Sequence, residues 1–311
     1  MEIRPFDPKV YVIILNWNGM KDTVACINSL VFQEDIVLEI VIVDNGSTDH
    51  SVNKIRELFP QVHVIENGKN LGFSGGMNVG IQSALSANGK YILVLNNDTI
   101  ADKGMVRGLL DELTDDVGIT APVIFYEKQP DKIWSVGGNI HPLFLELLHP
   151  HGAATSLPSA PLDRDFVTGC AMLVRSDVFH AVGMFDERFS PAYYEDLDFS
   201  LRVRKAGFRI VVVPATRLLH KVSQASGGER SPFVMYLKAR NSAYYFRKHM
   251  QYWQIPFIFL YRFLSAIKIS FRLIIEKKWD ALAANWAGLF DGWIRMQKKI
   301  NNSYLSFYEK H

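Results

Sequence analysis

The sequence predicts an α/β fold in which a doubly wound, mostly parallel sheet is followed by a C-terminal helical extension. Three observations predict it: short β-branched runs that each end in Asp, Asn or Gly, helical stretches between these runs, and a final segment with a helical pattern throughout. The chain has 311 residues, of which 48% are apolar and 21% are charged. This composition excludes disordered, collagen-like and coiled-coil proteins and indicates a globular one.

The first half of the chain predicts four strands separated by helices. Residues 10–15, VYVIIL, form an unbroken apolar run, which is typical of a strand buried on both faces of a parallel sheet. Comparable or shorter runs follow at 40–43, 62–65 and 91–95. Helices are predicted between them at 23–31, 51–59 and 75–86. This alternation predicts right-handed crossovers.

The second half has a weaker periodic pattern. Residues 122–162 are rich in Pro, Gly and His and predict loops and short strands, whereas 167–179 predict a buried strand that leads into a helix. A last strand is expected over 210–213, ending at Pro214, and helices from residue 232 onward. We therefore predict two domains, 1–231 and 232–311.

The two cysteines, Cys26 and Cys170, are too few for a disulfide framework and do not form a C-x-x-C pair. This usage favours a reducing, cytoplasmic setting. The N-terminal apolar run is too short and wrongly flanked for a signal peptide, so secretion is not expected.

Polar residues follow several predicted strands at the point where each strand ends. They are Asn16, Asp44 and the triplet Asn96, Asn97 and Asp98. In doubly wound sheets the ligand binds beyond the carboxyl ends of the strands, so we expect these residues to converge on one site. Asp44 suits a hydrogen bond from a pyrimidine N–H or a ribose hydroxyl, but it also suits a turn or helix cap. No G-x-G-x-x-G or P-loop motif is present, which disfavours dinucleotide and P-loop proteins.

The segment NLGFSGGMNVG, residues 70–80, places three glycines just before a predicted helix. Glycine permits close backbone approach, and a helix N-terminus favours an anion such as a diphosphate. The alternative is a tight connection without a ligand.

Asp98, two residues after Asn96, resembles a D-x-D metal site whose first carboxylate has become an amide. Oxygen ligands there would hold Mg²⁺ or Mn²⁺ against a diphosphate. His220 is the candidate for a compensating ligand, and imidazole suits Mn²⁺ better than Mg²⁺. The alternative for His220 is an ordinary hydrogen-bonded histidine.

The densest carboxylate cluster is Glu195, Asp196 and Asp198, set among aromatic residues. On a helix, Asp196 and Asp198 lie about 200° apart, so they cannot share one face. One is a candidate general base, and the other is expected to cap the helix or pair with Arg202. Simple charge at a helix N-terminus is the alternative.

In combination and in this order, the motifs resemble the family-2 glycosyltransferases of the GT-A fold, and within them the rhamnosyltransferase-like group. The resemblance covers about residues 10–225, through IILNWNG, IVIVDNGSTD, NLGFSGGMNVG, LVLNND, TGCAMLV, FDERFSPAYYEDLDFSLRVRKAG and His220. It implies a nucleotide-sugar-binding catalytic domain over 1–231. It also implies inverting transfer of a sugar from a nucleotide-diphospho-sugar.

The resemblance also implies a role for each candidate residue. Asp196 matches the family's catalytic base, and Asp98 with His220 matches its metal ligands for Mn²⁺ or Mg²⁺. Donor contacts are implied at Asn16, Asp44, Asn70, Gly75, Asn96, Asn97 and Asp98. Residues implied to line the acceptor or sugar pocket are Gly169, Cys170 and Glu195.

Two departures from the family pattern narrow the expected activity. Asn96 stands where many relatives carry Asp, although N-N-D is common in the rhamnosyltransferase-like group. The Q-x-x-R-W motif of processive synthases is absent, so we expect the addition of one or a few sugars. The expected donor is dTDP-L-rhamnose, and the expected acceptor is a lipid-linked surface glycan. The alternatives are a UDP-sugar donor or a catalytically silent nucleotide-sugar-binding subunit.

The C-terminal segment is basic and aromatic. Residues 236–311 hold 13 Lys and Arg against 4 Asp and Glu, and 18 of the chain's aromatic residues. Around residues 256–279 the pattern predicts an amphipathic helix with Arg262, Lys268 and Arg272 on its polar face. Such a helix suits an anionic membrane surface, which would make the enzyme peripheral on the inner face of the cell membrane. The alternative is packing on the catalytic domain or at a homodimer interface. Nucleic-acid binding is disfavoured because no such motif accompanies the basic residues.

Overall fold

The structure, a computed structural model, describes residues 8–31, 33, 36–148, 157–222 and 230–294. The described chain divides into two compact units. The first contains the residues up to Asn139 together with 148–222, and the second contains Ile140–Leu147 together with the residues after 222. The predicted domain boundary at residue 231 stays a prediction, and the predicted helical residues 295–311 lie outside the described residues.

The first half of unit one is a parallel βα repeat. Its elements are β1 (Lys9–Asn16), α1 (Met20–Leu30), β2 (Val37–Asp44), α2 (Ser51–Leu58), β3 (His63–Glu66), α3 (Gly72–Ser86) and β4 (Tyr91–Asn96). The strands lie in the order β4-β1-β2-β3, all parallel. Asn16 is paired with Asp44 in register. The predicted alternation and the convergence of the strand ends are therefore confirmed.

The second half of unit one adds antiparallel pairings. Its elements are β5 (Thr99–Ala101), α4 (Met105–Asp111), β6 (Val117–Tyr126), β7 (Gln129–Ser135), β10 (Leu162–Arg164), β11 (Ala171–Arg175), α5 (Ser176–Val182), a 3₁₀ turn (Glu187–Phe189), α6 (Glu195–Lys205) and β12 (Arg209–His220). The short strands β8 (Asn139–Ile140) and β9 (Leu147–Leu148) pair with each other, and each has one residue in either unit. The sheet continues β4-β11-β6-β12-β10, with β11 antiparallel to both neighbours. Residues 122–162 are predicted as loops and short strands, but 122–126 complete the ten-residue strand β6, which begins at Val117.

β12 is longer than predicted, because Pro214 does not end it. The strand runs beside β6, with Val213 opposite Pro122 and Arg217 opposite Val123, so three residues of β12 are accommodated in a bulge. Proline, which has no N–H for the ladder, is tolerated at bulges. Beyond the bulge β12 pairs with β5 and ends at His220, opposite Thr99. The bulge thus allows β12 to continue until His220 lies beside Thr99, directly after Asp98 in the sequence.

Two apolar clusters cover the two faces of the sheet. α3 packs closely on one face because it carries glycines there. A Cβ on Gly76 would lie 2.3 Å from the side chain of Leu15, and one on Gly80 would lie 2.3 Å from that of Ile13. Both glycines lie inside α3, which begins at Gly72, three residues before the predicted start at residue 75.

Unit two contains a helical array: α7 (Pro232–His249), a 3₁₀ turn (Tyr252–Gln254), α8 (Ile255–Ile275) and α9 (Trp279–Ile294). Ser231 caps α7 by accepting a hydrogen bond from the Val234 N–H, and Pro232 occupies the first turn. α9 packs on α7 through glycine, because a Cβ on Gly288 would lie 2.3 Å from the Tyr236 carbonyl oxygen. Within the described part of the chain, no helix combines the length and apolar content that crossing a membrane requires.

Candidate active site

A chain of hydrogen bonds joins the carboxyl ends of three neighbouring strands. Asn97, after β4, donates to the hydroxyl of Thr23 at 3.0 Å, and that hydroxyl donates to Asn16 Oδ1 at 2.7 Å. Asn16, at the end of β1, donates in turn to Asp44 Oδ1 at the end of β2 at 2.7 Å. The strand ends are thus fixed relative to one another by buried side chains.

Both polar atoms of the Asn16 side chain form hydrogen bonds within this network. Asn16 has no exposed surface, and its amide nitrogen also lies 2.8 Å from Ser51 Oγ and 3.0 Å from Ser47 Oγ. Asp44 is 2% exposed, and its second oxygen accepts from the Gly46 and Ser47 N–H groups. Asp44 therefore makes the contacts of a turn residue, while Asn16 is placed to hold Asp44 rather than to touch a ligand.

The glycine segment is bound to the loop that precedes α6. Asn70 Oδ1 accepts from the Gly72 N–H at 2.8 Å. The next N–H, of Phe73, donates to the Pro191 carbonyl at 2.7 Å. Gly72 has a φ of +73°, and a Cβ there would lie 2.7 Å from Pro191 Cα. Gly75 lies buried in the first turns of α3. The absence of a side chain at Gly72 therefore allows Pro191 of the same chain to pack closely against it.

Asp98 and His220 form a close buried pair. Asp98 Oδ1 lies 3.2 Å from His220 Nε2, and both side chains are about one-tenth exposed. The Lys221 N–H donates to the Asp98 carbonyl, which fixes the two chain segments side by side. The ring of Trp134 lies edge-on to the imidazole at 4.5 Å, and His220 Nδ1 is buried without a hydrogen-bond partner. Among the described residues no group of three or more His, Cys, Asp and Glu could hold a metal, so this pair is what the described chain offers.

Asp196 lies in the first turn of α6 with its carboxylate held by the segment before β11. One oxygen accepts from the Gly169 N–H at 3.1 Å and the other from the Leu197 N–H at 2.8 Å. Burial raises the pKa of Asp196, while these N–H donors and the Thr168 side chain act in the opposite direction. A carboxylate with a raised pKa is a stronger base, which suits proton abstraction.

The two neighbouring carboxylates differ from Asp196. Glu195 is 7% exposed and its Oε2 has no partner, and burial together with the Asp196 charge raises the pKa of Glu195 well above its ordinary value. Asp198 is fully buried and pairs with Arg202 at 2.8 Å, as expected for residues four apart. Arg202 also donates to the Met184 carbonyl, which ties the loop before α6 to the helix.

The segment Gly169–Cys170 connects Asp196 to the part of the chain that carries Asp98. Gly169 donates to Asp196, and the Cys170 carbonyl accepts from the Asn96 N–H at 2.9 Å. Asn96 is two residues from Asp98, so one short segment spans the two carboxylates. Burial raises the pKa of Cys26 to about 12 and also raises the pKa of Cys170, so both stay thiols.

Three residues that contact the candidate site are not among the predicted site residues. Thr23 links two strand ends, Thr168 supports Asp196, and Trp134 packs on His220. Thr168 lies in the segment TGCAMLV, which is a signal for it, whereas Thr23 is an ordinary helix residue by pattern and Trp134 lies in the stretch predicted as loops and short strands.

Comparison with known proteins gives this geometry a context. The model of the family described as "Glycosyl transferase family 2" matches residues 11–183. The N-acetylglucosaminyl-diphospho-decaprenol L-rhamnosyltransferase of Mycobacterium tuberculosis is 26% identical over 251 residues, 73% of this chain and 81% of that protein. The low-salt glycan biosynthesis hexosyltransferase of Haloferax volcanii is 27% identical over 296 residues, 90% of each chain.

Solved structures share the fold. A mannosyltransferase from Pyrobaculum calidifontis, in complex with GDP-Man and Mn²⁺, aligns with a TM-score of 0.56 at 14% identity over 98% of this chain and 80% of its own. GalNAc-T7 with UDP, GalNAc and Mn²⁺ aligns with a TM-score of 0.62 at 17% identity over 78% of this chain. This chain spans about half the length of that structure, 48%. The family match and the GT-A likeness agree with the site, and the chain is a glycosyltransferase that belongs to glycosyl transferase family 2.

Proposed function

We propose that the protein is a metal-dependent, inverting glycosyltransferase that transfers one sugar, L-rhamnose from dTDP-L-rhamnose, to a lipid-linked acceptor. The observation that carries the proposal is the connection of Asp196 to Asp98 and His220 through the segment Gly169–Cys170. A base on one side and a cation site on the other are what displacement of a nucleoside diphosphate requires.

In this proposal Asp196 accepts the proton of an acceptor hydroxyl. The oxygen forms a bond to the anomeric carbon as the bond from that carbon to the diphosphate breaks, and the electron pair leaves with the diphosphate. A single displacement of this kind inverts the anomeric configuration. The N–H groups of Gly169 and Leu197 hold the carboxylate of Asp196 in place for this step.

The pair Asp98 and His220 fits a divalent cation. A carboxylate oxygen and an imidazole nitrogen suit Mn²⁺, and their 3.2 Å separation is close to the roughly 3 Å between adjacent ligands of an octahedral ion with bonds of about 2.1 Å. A bound cation supplies charge neutralisation for the departing diphosphate. Asp98 and His220 are the two described residues that would hold such a cation.

The donor and acceptor are proposed from the relatives. The name of the Mycobacterium tuberculosis protein specifies an L-rhamnosyl transfer to a saccharide linked to a lipid by a diphosphate. The chain matches most of that protein's length, which supports rhamnosyl transfer to a lipid-linked saccharide here, while the dTDP nucleotide is what the resemblance of the sequence motifs implies.

Calorimetry of dTDP and UDP binding, with and without Mn²⁺, tests the proposal. We expect dTDP to bind more tightly than UDP, and Mn²⁺ to strengthen its binding. Asp98→Ala should remove this metal effect and weaken binding by at least about tenfold, the lower end for loss of a group that only supports a metal ligand. Asp111→Ala, which removes an exposed carboxylate on α4, is the matched control and should bind as the wild type does.

A transfer assay with Asp196→Asn completes the test. We expect transfer to be lost while dTDP binding stays nearly intact, because the carboxamide cannot accept the proton. Substantial residual turnover would remove Asp196 from the role of base. Tighter binding of UDP would keep the chemistry and change the donor, and binding of neither nucleotide would contradict the proposal.

A further inference from the structure

α8 and α9 leave many of their large apolar side chains exposed, and the buried residues of α9 are mostly small. α9 packs on α7 through residues such as Ala284 and Gly288. Its aromatic residues form a stripe at i, i+7 and i+11, Trp279, Trp286 and Phe290, which are 45–59% exposed. α8 exposes Phe263, Phe271 and Ile275 by 59–78%. These six residues define the surface called here the aromatic face.

The aromatic face is unusual for this chain and for proteins in general. Within the described ranges, all but three of the strongly exposed large apolar side chains lie between residues 252 and 294. The six side chains leave roughly 700 Å² in contact with solvent, if a whole aromatic side chain presents about 150–250 Å². The largest apolar patch on a typical monomer is about 300–600 Å², so a partner is expected here.

The outward surfaces of the two helices are continuous. The rings of Phe259 and Trp293 lie 4.8 Å apart, and Trp286 Nε1 donates to Ser270 Oγ at 3.1 Å. Residue numbers rise along one helix as they fall along the other, so α8 and α9 are antiparallel neighbours. A partner that meets one helix therefore meets both.

Cations accompany this apolar surface. α8 contains no acidic residue, and Lys268 is exposed on the edge of its apolar side. The turn that leads into α9 adds Lys277 and Lys278, both exposed. The acidic residue of this turn, Glu276, is bound to Arg230 and Arg272. A helix surface rich in Trp and Phe with lysines at its margin is what lies at the headgroup level of an anionic bilayer.

The same charges argue against a second copy of the chain as the partner. A twofold interface brings the same patch of each copy together. Two copies of α8 would then place cation against cation, because that helix has no acidic residue. The exposed Asp280 at the start of α9 is outnumbered by Lys268, Lys277 and Lys278.

We propose that the aromatic face docks the protein on the surface of an anionic lipid bilayer. The proposal does not depend on the donor, the metal or the reaction. A lipid-linked acceptor would lie in the same membrane, and this link between docking and the reaction rests on the proposed function.

Vesicle co-sedimentation of the full chain tests the proposal, with phosphatidylcholine vesicles and with vesicles that also contain phosphatidylglycerol. We expect the wild type to bind the anionic vesicles more tightly. The double variant Phe263→Ser and Phe271→Ser should bind them at least about tenfold more weakly, because two half-exposed aromatic side chains no longer enter the bilayer. The matched control, Val31→Ser with Leu58→Ser, alters apolar residues of similar exposure on unit one and should leave binding unchanged.

A second variant separates the charge from the apolar surface. Lys268→Gln with Lys277→Gln should lower binding to anionic vesicles by about thirtyfold, since each surface cation contributes about a fivefold factor, and should hardly change binding to phosphatidylcholine. An unchanged midpoint in urea denaturation shows that each variant is folded, and this control does not depend on the donor or the reaction.

Three results would overturn the proposal. The wild type could remain in the supernatant with both kinds of vesicle, or the serine variant on the aromatic face could bind as tightly as its control. Sedimentation equilibrium could also show a dimer that the serine variant on the aromatic face dissociates in the absence of lipid, which would assign the surface to a second copy.

Discussion

Asn16→Ala tests whether Asn16 acts through Asp44 or contacts the nucleotide itself. The alanine removes the hydrogen bond to the carboxylate of Asp44, worth about 1.5–3 kcal/mol, and those with Thr23 and Ser51, worth about 1 kcal/mol each. Because Asn16 is completely buried, water does not readily replace these partners. We expect the free energy of unfolding to fall by about 3–5 kcal/mol.

Urea denaturation measures the stability, and calorimetry of dTDP measures the binding. The exposed residue Asn53 on α2 supplies the matched control, since Asn53→Ala should change stability by less than about 1 kcal/mol. If Asn16 acts by holding Asp44, the substitution Asn16→Ala should weaken dTDP binding when Asp44 is present but not in a protein that already carries Asp44→Ala. Wild-type stability, together with an equal loss of binding in both backgrounds, would refute this and make Asn16 a direct contact.

Three other predictions concern Gly72, Glu195 and Asp198. Gly72→Ala should destabilise the protein by more than the roughly 1–2 kcal/mol that a left-handed backbone costs, because the added Cβ would lie 2.7 Å from a backbone atom. Gly68→Ala is the control, since Gly68 has a similar φ of +66° with open space around it. An equal loss of stability in both variants, measured by urea denaturation, would contradict a role for the close contact at Gly72. The raised pKa of Glu195 means that the folded state holds a proton that the unfolded state releases, so stability should fall as pH rises above about 4.5. Glu195→Gln should therefore gain in thermal midpoint over the wild type as the pH is raised, and a difference that does not depend on pH would count against it. Asp198→Ala leaves Arg202 without its buried partner and should cost about 3–5 kcal/mol in urea denaturation; a loss below about 1 kcal/mol would show that the pair is not important for stability.

The sequence predicted the parallel half of the sheet well because its signals are local. Each of the strands β1, β2 and β4 is an apolar run that ends in a polar residue, and parallel strand ends meet at one edge. β6 was not found as a whole because Gly118 and Pro122 interrupt its apolar pattern. β12 was predicted too short because Pro214 is normally a stop signal, whereas here a bulge absorbs it.

For the candidate site, the sequence indicates candidate residues but not the contacts between them. The sequence pattern places Asp44 and Asp98 at strand ends. It does not show that the amide nitrogen and the amide oxygen of Asn16 both form hydrogen bonds with other side chains. The amphipathic pattern of α8 was predicted as well, but its orientation depends on long-range packing. Arg262 turns inward, where it donates to Ser242, while the apolar side of the helix is exposed. Such choices depend on neighbours that are distant in sequence.

The bulge in β12 has a consequence for how the protein tolerates changes in length. Side chains alternate between the two faces of a strand, so the parity of the residue count decides which face a given position occupies. Loss of a single residue among 214–216 would leave the pairing of Val213 with β6 unchanged. If the bulge kept its three residues, the rest of β12 would advance by one step, and Lys221 would take the place of His220 beside Asp98. In that case an insertion or deletion of an even number of residues keeps the histidine side chain on the same face of the sheet, and an odd number moves it to the other face. Related chains that differ in length here by two should therefore keep a histidine on this face more often than chains that differ by one.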